Sequence, residues 1–242
     1  MDDVIHTAEY QVRTTWTRMN SLAWTYAEIA ETALGRFLTG QRNPVVDPGS
    51  DGDPEEYFGY KKRITEAAIQ TIVFSAMGCE SAIYDLAAIH LTDSYAESII
   101  DKLDVIGKWV VVPQLICGKP LKPDGPALNA LRTLIPARNL LVHNKSHPGL
   151  FDLTNIEDVE RRLHRAKRDS DRLIANVVPA YQAVVLLSLE LNRVLKTPSG
   201  VLPFFEKGTI SSKNEHRTQE VMEFLGRCRE IDAKHFRKNE AS

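Results

Sequence analysis

The sequence is short of cysteine: three among 242 residues, Cys79, Cys117 and Cys228, with no C-x-x-C pair. So few thiols, so far apart, support neither a disulfide framework nor a cysteine zinc site, and they suit a reducing, cytoplasmic setting. Charge of one sign is also lacking. Thirty Lys and Arg against 32 Asp and Glu leave a net charge of −2, so any surface for nucleic acid must be local. Long uninterrupted apolar runs are missing as well. The most apolar stretch, VVPAYQAVVLLSLEL, is broken by Pro179, Gln182 and Glu190 and is expected to be too short to span a bilayer. The N-terminal MDDVIHTAEY is acidic and polar, unlike a secretory or transit segment. Together these absences describe a soluble cytoplasmic protein with no membrane partner.

What is present is an ordinary globular composition, 43% hydrophobic and 26% charged, enough for a substantial core. Residues 3 to 39 carry little glycine or proline and predict a helix ending at Gly40. The proline-, glycine- and aspartate-rich stretch 41 to 56 predicts a mobile acidic loop, so 1–57 forms an N-terminal appendage. A second helix is expected over about 58 to 91, with Ile69, Ile72, Ala76, Ile83 and Ala87 at helical spacing, and a shorter one over about 93 to 106. In GKWVVVPQLICGKPLKPDGP the prolines and glycines argue against one continuous helix, and VVV suggests a short strand or buried extended segment.

The next helix runs from about Ala127 to His143, with Leu128, Leu131, Leu134, Ile135 and Leu141 as its apolar face and Pro136 as a kink or restart. Thr154 and Glu157 form a capping box for a helix to about Val177, and Pro179 separates it from an apolar helix over 180 to 196. Residues 197–242 hold a polar loop and a separable, amphipathic, charge-rich helix over about 217 to 237. The fold class is all-α, a bundle of four to five long helices with 58–196 as its core and an extra C-terminal helix.

RNLLVHN, residues 138 to 144, places polar side chains at the end of an apolar helix. Asn139 and His143 lie about 40° apart around an ideal helix, whereas Arg138 and His143 lie about 140° apart. The residue types suit RNA cleavage. A histidine can take the proton of a ribose 2′-hydroxyl, a guanidinium can hold the phosphate charge that builds, and an asparagine amide adds a neutral donor. Nothing in this set requires a metal or other cofactor. A capped helix end fits the same residues, with His143 placed favourably near the C-terminal carbonyls. The spacing itself recurs at Arg229 and His235 in the charged tail, where it is read as accidental.

R-N-L-L-V-H resembles the motif of HEPN-domain proteins, in which an arginine is followed after four to six residues by a histidine, commonly with a polar residue after the arginine. The order of a helix, then GKWVVVPQLICGKPL, then ALNALRTLIPARNLLVHNKS is similar to bacterial HEPN-like proteins with a K-W-x-x-x-P element. The resemblance covers roughly residues 60 to 195. It implies a helical bundle, usually a homodimer, that sets two motifs in a shared cleft. Many members are metal-independent ribonucleases of toxin–antitoxin, abortive-infection and CRISPR-linked defence. Others have lost activity and bind RNA or a protein partner. Carried across, the catalytic residues are Arg138, Asn139 and His143. The branch controlled by a partner nucleotidyltransferase usually has a tyrosine two residues after the histidine. Here that position is Lys145, which puts that form of antitoxin control in doubt.

Several residues could support such a site. Lys145 could touch a phosphate or simply be solvated. Glu80 continues the stripe of the second helix; if it faces the core, its carboxylate needs a partner, which Arg138 or His143 could provide, and if the stripe drifts it lies at the wet edge. Arg161, Arg165, Arg168 and Arg172 make a ridge that could follow an RNA backbone, although Asp158, Asp169 and Asp171 are interleaved and the ridge equally suits a solvated face. Lys108 and Trp109 are expected to anchor their segment against the bundle. Pro148 disfavours His143 and His147 as a helical metal pair.

Overall fold

The computed structural model describes residues 18–19, 21–47, 49, 54–143, 156–207 and 217–240, with side chains to residue 236. These residues form α1 (Ala23–Arg42), α2 (Pro54–Leu91), α3 (Asp93–Ser98), a 3-10 turn (Ile100–Lys102), α4 (Val105–Cys117), α5 (Pro126–Val142), α6 (Ile156–Leu195) and α7 (Gln219–Glu240). The protein is all-α, and no strand occurs among the described residues. The capping box at Thr154 and the residues Lys145 and His147 lie outside the described set.

The bundle forms around α6. Every residue from Ala180 to Leu191 except Gln182 is buried, as befits a helix apolar on all sides. Three polar side chains on this stretch each hold a neighbouring segment. Tyr181 Oη donates to Glu31 on α1 at 2.9 Å, Ser188 Oγ donates to the Pro203 carbonyl at 2.7 Å, and Glu190 Oε1 accepts from the Lys122 N–H at 2.8 Å. On the far side, α1 lies close against α2 because both surfaces are small. Ala23, Ala27 and Ala30 are fully buried, and a Cβ on Gly78 would sit 3.4 Å from the Ala23 carbonyl oxygen and the Ala27 nitrogen. Val221, Phe224, Leu225 and Cys228 of α7 join the same core.

Several boundaries differ from those expected. The segment around VVV is not extended: Val105 to Cys117 is helical. Asp104 caps it by accepting from the Gly107 N–H at 2.7 Å, and Gly118 closes it in the left-handed region at φ 71°. An interior proline costs about 3 kcal/mol. Burial of Trp109 and Val112, each fully inaccessible, contributes about 1.5–3 kcal/mol apiece, and with two caps this outweighs the loss at Pro113. Trp109 also donates its indole N–H to the Cys79 carbonyl at 3.2 Å, and Lys108 reaches Asp101 at 2.7 Å, so both anchor the segment.

Nor does Pro179 divide two helices. α6 is continuous for 40 residues, and α5 likewise runs through Pro136. Each proline frees a carbonyl four residues earlier, at Ala175 and Arg132. Both are exposed residues, where water can take the bond. The stretch expected over 93 to 106 splits at the 3-10 turn, and Ile69 is 38% exposed rather than part of the core stripe. The helix expected over 3 to 39 is not helical at the described residues 18–19 and 21–22; α1 starts at Ala23 and continues past Gly40 to Arg42. The apolar run ending α6 is therefore not too short to span a bilayer by length. α2 and α6 both have the length and composition to cross a membrane, with 61% of each apolar window buried inside the bundle.

Burial raises the Glu190 carboxyl above its ordinary range, against the Lys122 hydrogen bond and nearby Arg193, which lower it. An acid held tighter to its proton in the folded state weakens folding as pH climbs through its range. The penalty is absent below the ordinary carboxylate pKa and complete above the folded one. Glu190→Gln, which keeps an acceptor for the Lys122 N–H, should raise Tm at pH 7 by about 2–4 °C per 1 kcal/mol relieved. The gain should vanish near pH 4. Thermal melts at the two pH values check this, and an equal change at both would contradict it.

Candidate functional site

α5 opens at Pro126, preorganised for a first helical turn behind Gly125, and packs Leu128, Leu131 and Leu134 into the core. That packing fixes how its final turns face. Arg138 lies at the border of the buried arc, and its guanidinium points to α2, where Nη2 donates to Glu80 Oε2 at 3.0 Å. Nη1 donates to Asn139 Oδ1, also at 3.0 Å. The Arg138 side chain is 25% exposed and that of Glu80 40% exposed, so the pair lies at the wet edge of the α2–α5 contact. Glu80 thus takes Arg138 as its partner and is not a core carboxylate.

His143 follows the last helical residue. Its N–H still donates to the Asn139 carbonyl at 3.0 Å, while φ −104° and ψ 24° take the chain out of the helix. The helix therefore stays wound through Val142, and the offset of about 140° between Arg138 and His143 persists. Leu131, Leu134 and Ala137 are buried, placing His143 on roughly the opposite side of α5, where it is exposed. Asn139 is exposed too, with Leu140 and Val142 beside it. One chain thus brings Arg138, Asn139 and Glu80 together but leaves His143 facing outward.

No protein-family model, curated protein or solved structure matches the chain.

Two surface cavities lie away from this end of α5. One of about 650 Å³ sits among α1, α2 and the start of α7, and one of about 1120 Å³ between the end of α6 and α7; neither is lined by Arg138 or His143. Arg229 borders the second and donates to the Phe205 carbonyl at 3.2 Å, which gives it a packing role. Arg161, Arg165, Arg168 and Arg172 are all exposed on the first half of α6, and Arg161 pairs with Asp158 at 3.2 Å. The basic ridge is thus solvent-facing and locally tempered by acid. The opposite face of that half-helix carries apolar residues at steps of three and four.

The Glu80–Arg138 pair joins two half-exposed groups, a setting worth about 0–1 kcal/mol. Arg138→Ala, Glu80→Ala and His143→Ala should each remain folded, within about 1 kcal/mol of the parent in urea melts. A loss of several kcal/mol in any of them would mark that side chain as structural.

Proposed function

We propose that the chain is a metal-independent endoribonuclease acting as a cytoplasmic homodimer, in the manner of toxin or phage-defence effectors. The observation that carries this reading is the division of labour at the end of α5. Arg138 is oriented by Glu80 and Asn139, and His143 is open to solvent. A guanidinium has five N–H donors, and the two contacts commit two, leaving three for phosphate oxygens. Asn139 gives its carbonyl oxygen to Arg138, so its amide nitrogen remains as the neutral donor.

In this mechanism His143 accepts the proton of a ribose 2′-hydroxyl as that oxygen attacks the adjacent phosphorus. Arg138 holds the charge that builds on the non-bridging oxygens. The bond to the 5′-oxygen breaks, and that oxygen takes a proton, giving a 2′,3′-cyclic phosphate and a 5′-hydroxyl end. Because Arg138 and His143 leave α5 in different directions, the working site pairs Arg138 of one protomer with His143 of the other. Lys145 and the ridge of Arg161, Arg165 and Arg168 supply weaker backbone contacts, and an antitoxin or regulatory protein would restrain the activity. A second reading, a non-catalytic module that binds RNA or a protein partner, is favoured by the carboxylate of Glu80 already neutralising Arg138.

Incubation of purified protein with mixed RNA in EDTA separates these readings. Cleavage to cyclic phosphate ends is expected, reduced at least about 100-fold in Arg138→Ala and in His143→Ala. Mixing the two variants should restore about a quarter of parental activity, since half the dimers are mixed and each then holds one intact site. No cleavage by the parent leaves the binding module. Cleavage without restoration on mixing places both groups in one chain.

A further inference from the structure

The first half of α6 stands clear of the bundle. No residue from Ile156 to Asn176 is buried; the first is Val177, and Leu173 and Ile174 only lean on the core. This projecting half continues a stripe that the second half buries. Val177, Ala180, Val184, Leu187 and Leu191 recur at steps of three and four inside the bundle. Ile156, Val159, Leu163, Ala166, Ser170 and Leu173 carry the same steps outward, with Ile156 70% and Leu163 55% exposed. A 3–4 repeat suits the seam of a helix pair, and here none of the described residues buries it before Val177. Arg161, Arg165, Arg168 and Arg172 occupy the face directly away from the seam.

The charges beside the seam indicate what covers it. One flank carries Arg162 and Asp169, the other Glu160 and Lys167. In an antiparallel pair of identical helices each flank meets its own copy. With the two-fold axis between residues 164 and 165, Arg162 faces the second copy's Asp169, and Glu160 faces its Lys167. All four flanking contacts then join opposite charges. The layers match as well: Ile156 meets Leu173, Val159 meets Ser170 and Leu163 meets Ala166. A parallel pair would instead set Arg162 against Lys167 on both sides. Within one chain Arg162 already pairs with Asp158 at 2.6 Å, which holds it along that flank.

We propose that the projecting half of α6 is a self-association surface that takes a second copy of this chain as an antiparallel helix pair centred between residues 164 and 165. The contact goes beyond the cleavage reading and does not depend on it. Its axis lies about 13 Å along the helix from Leu173, so the two bodies stand on either side of the helix pair with the arginine ridges facing outward. Pairing of the α5 ends would use a different face, and a particle using both contacts holds more than two copies.

Sedimentation of the full chain without RNA, at tens of micromolar, tests this. Leu163→Glu, at an exposed position, should halve the parental particle mass while the bundle still folds and melts cooperatively, with Tm lowered only by the lost association. Arg162→Asp should weaken the association at least about tenfold by opposing Asp169. Arg162→Asp combined with Asp169→Arg should restore it, because the swapped charges again meet as opposites. A parent that sediments as one chain, a Leu163→Glu variant of unchanged mass, or a double variant no better than Arg162→Asp alone would overturn the proposal. RNA cleavage is scored separately, so a failed helix pair leaves the assignment of Arg138 and His143 standing.

Discussion

The stretch of α6 from Ala180 to Leu191 touches protein on nearly every side, and the rest of the bundle is arranged by that demand. A helix buried all round can tolerate few polar atoms, and each needs a partner. Tyr181, Ser188 and Glu190 find theirs in α1, in the 201–205 segment and in the loop before α5. The same side chains that would be costly if orphaned thereby pin the connections that would otherwise be loosest. α1 then closes on α2 through alanines and Gly78, small residues that let the two backbones approach closely.

Because α6 is unbroken at Pro179, its buried half sets the direction of its exposed half. A break there would have let residues 156 to 176 fold back over the bundle. Instead a rigid arm of about 30 Å carries one apolar seam and one arginine ridge on opposite sides. The end of α5 is positioned by similar logic. Leu128, Leu131 and Leu134 fix the rotation of that helix, which turns Arg138 toward Glu80 and His143 away from the core. Within one chain the two groups thus leave α5 on different sides.

Local sequence signals located α2, α5 and α7 within a few residues, and failed at the start of α1, at the split after Ser98 and at prolines. Pro113, Pro136 and Pro179 all lie inside helices, although each carries the steric cost that argues for a break. That cost is local, whereas what offset it is not: the burial of Trp109 against α2, and the placing of freed carbonyls at exposed residues. Glu80 shows the same limit from another side. Its register allowed Arg138 or His143 as partner, and only the approach of α5 chose Arg138.

The sequence by itself determined the all-helical class, the apolar faces of α2 and α5, the polar set Arg138, Asn139 and His143 at a helix end, and the 3–4 repeat along α6. These depend on residue types and on spacings of three and four, which neighbouring turns of one helix settle. Tertiary structure decided which stretch of that repeat is covered, which carboxylate meets Arg138 and which way His143 points. Those depend on contacts between residues far apart in the chain, and periodicity records that a face is apolar without recording what lies against it.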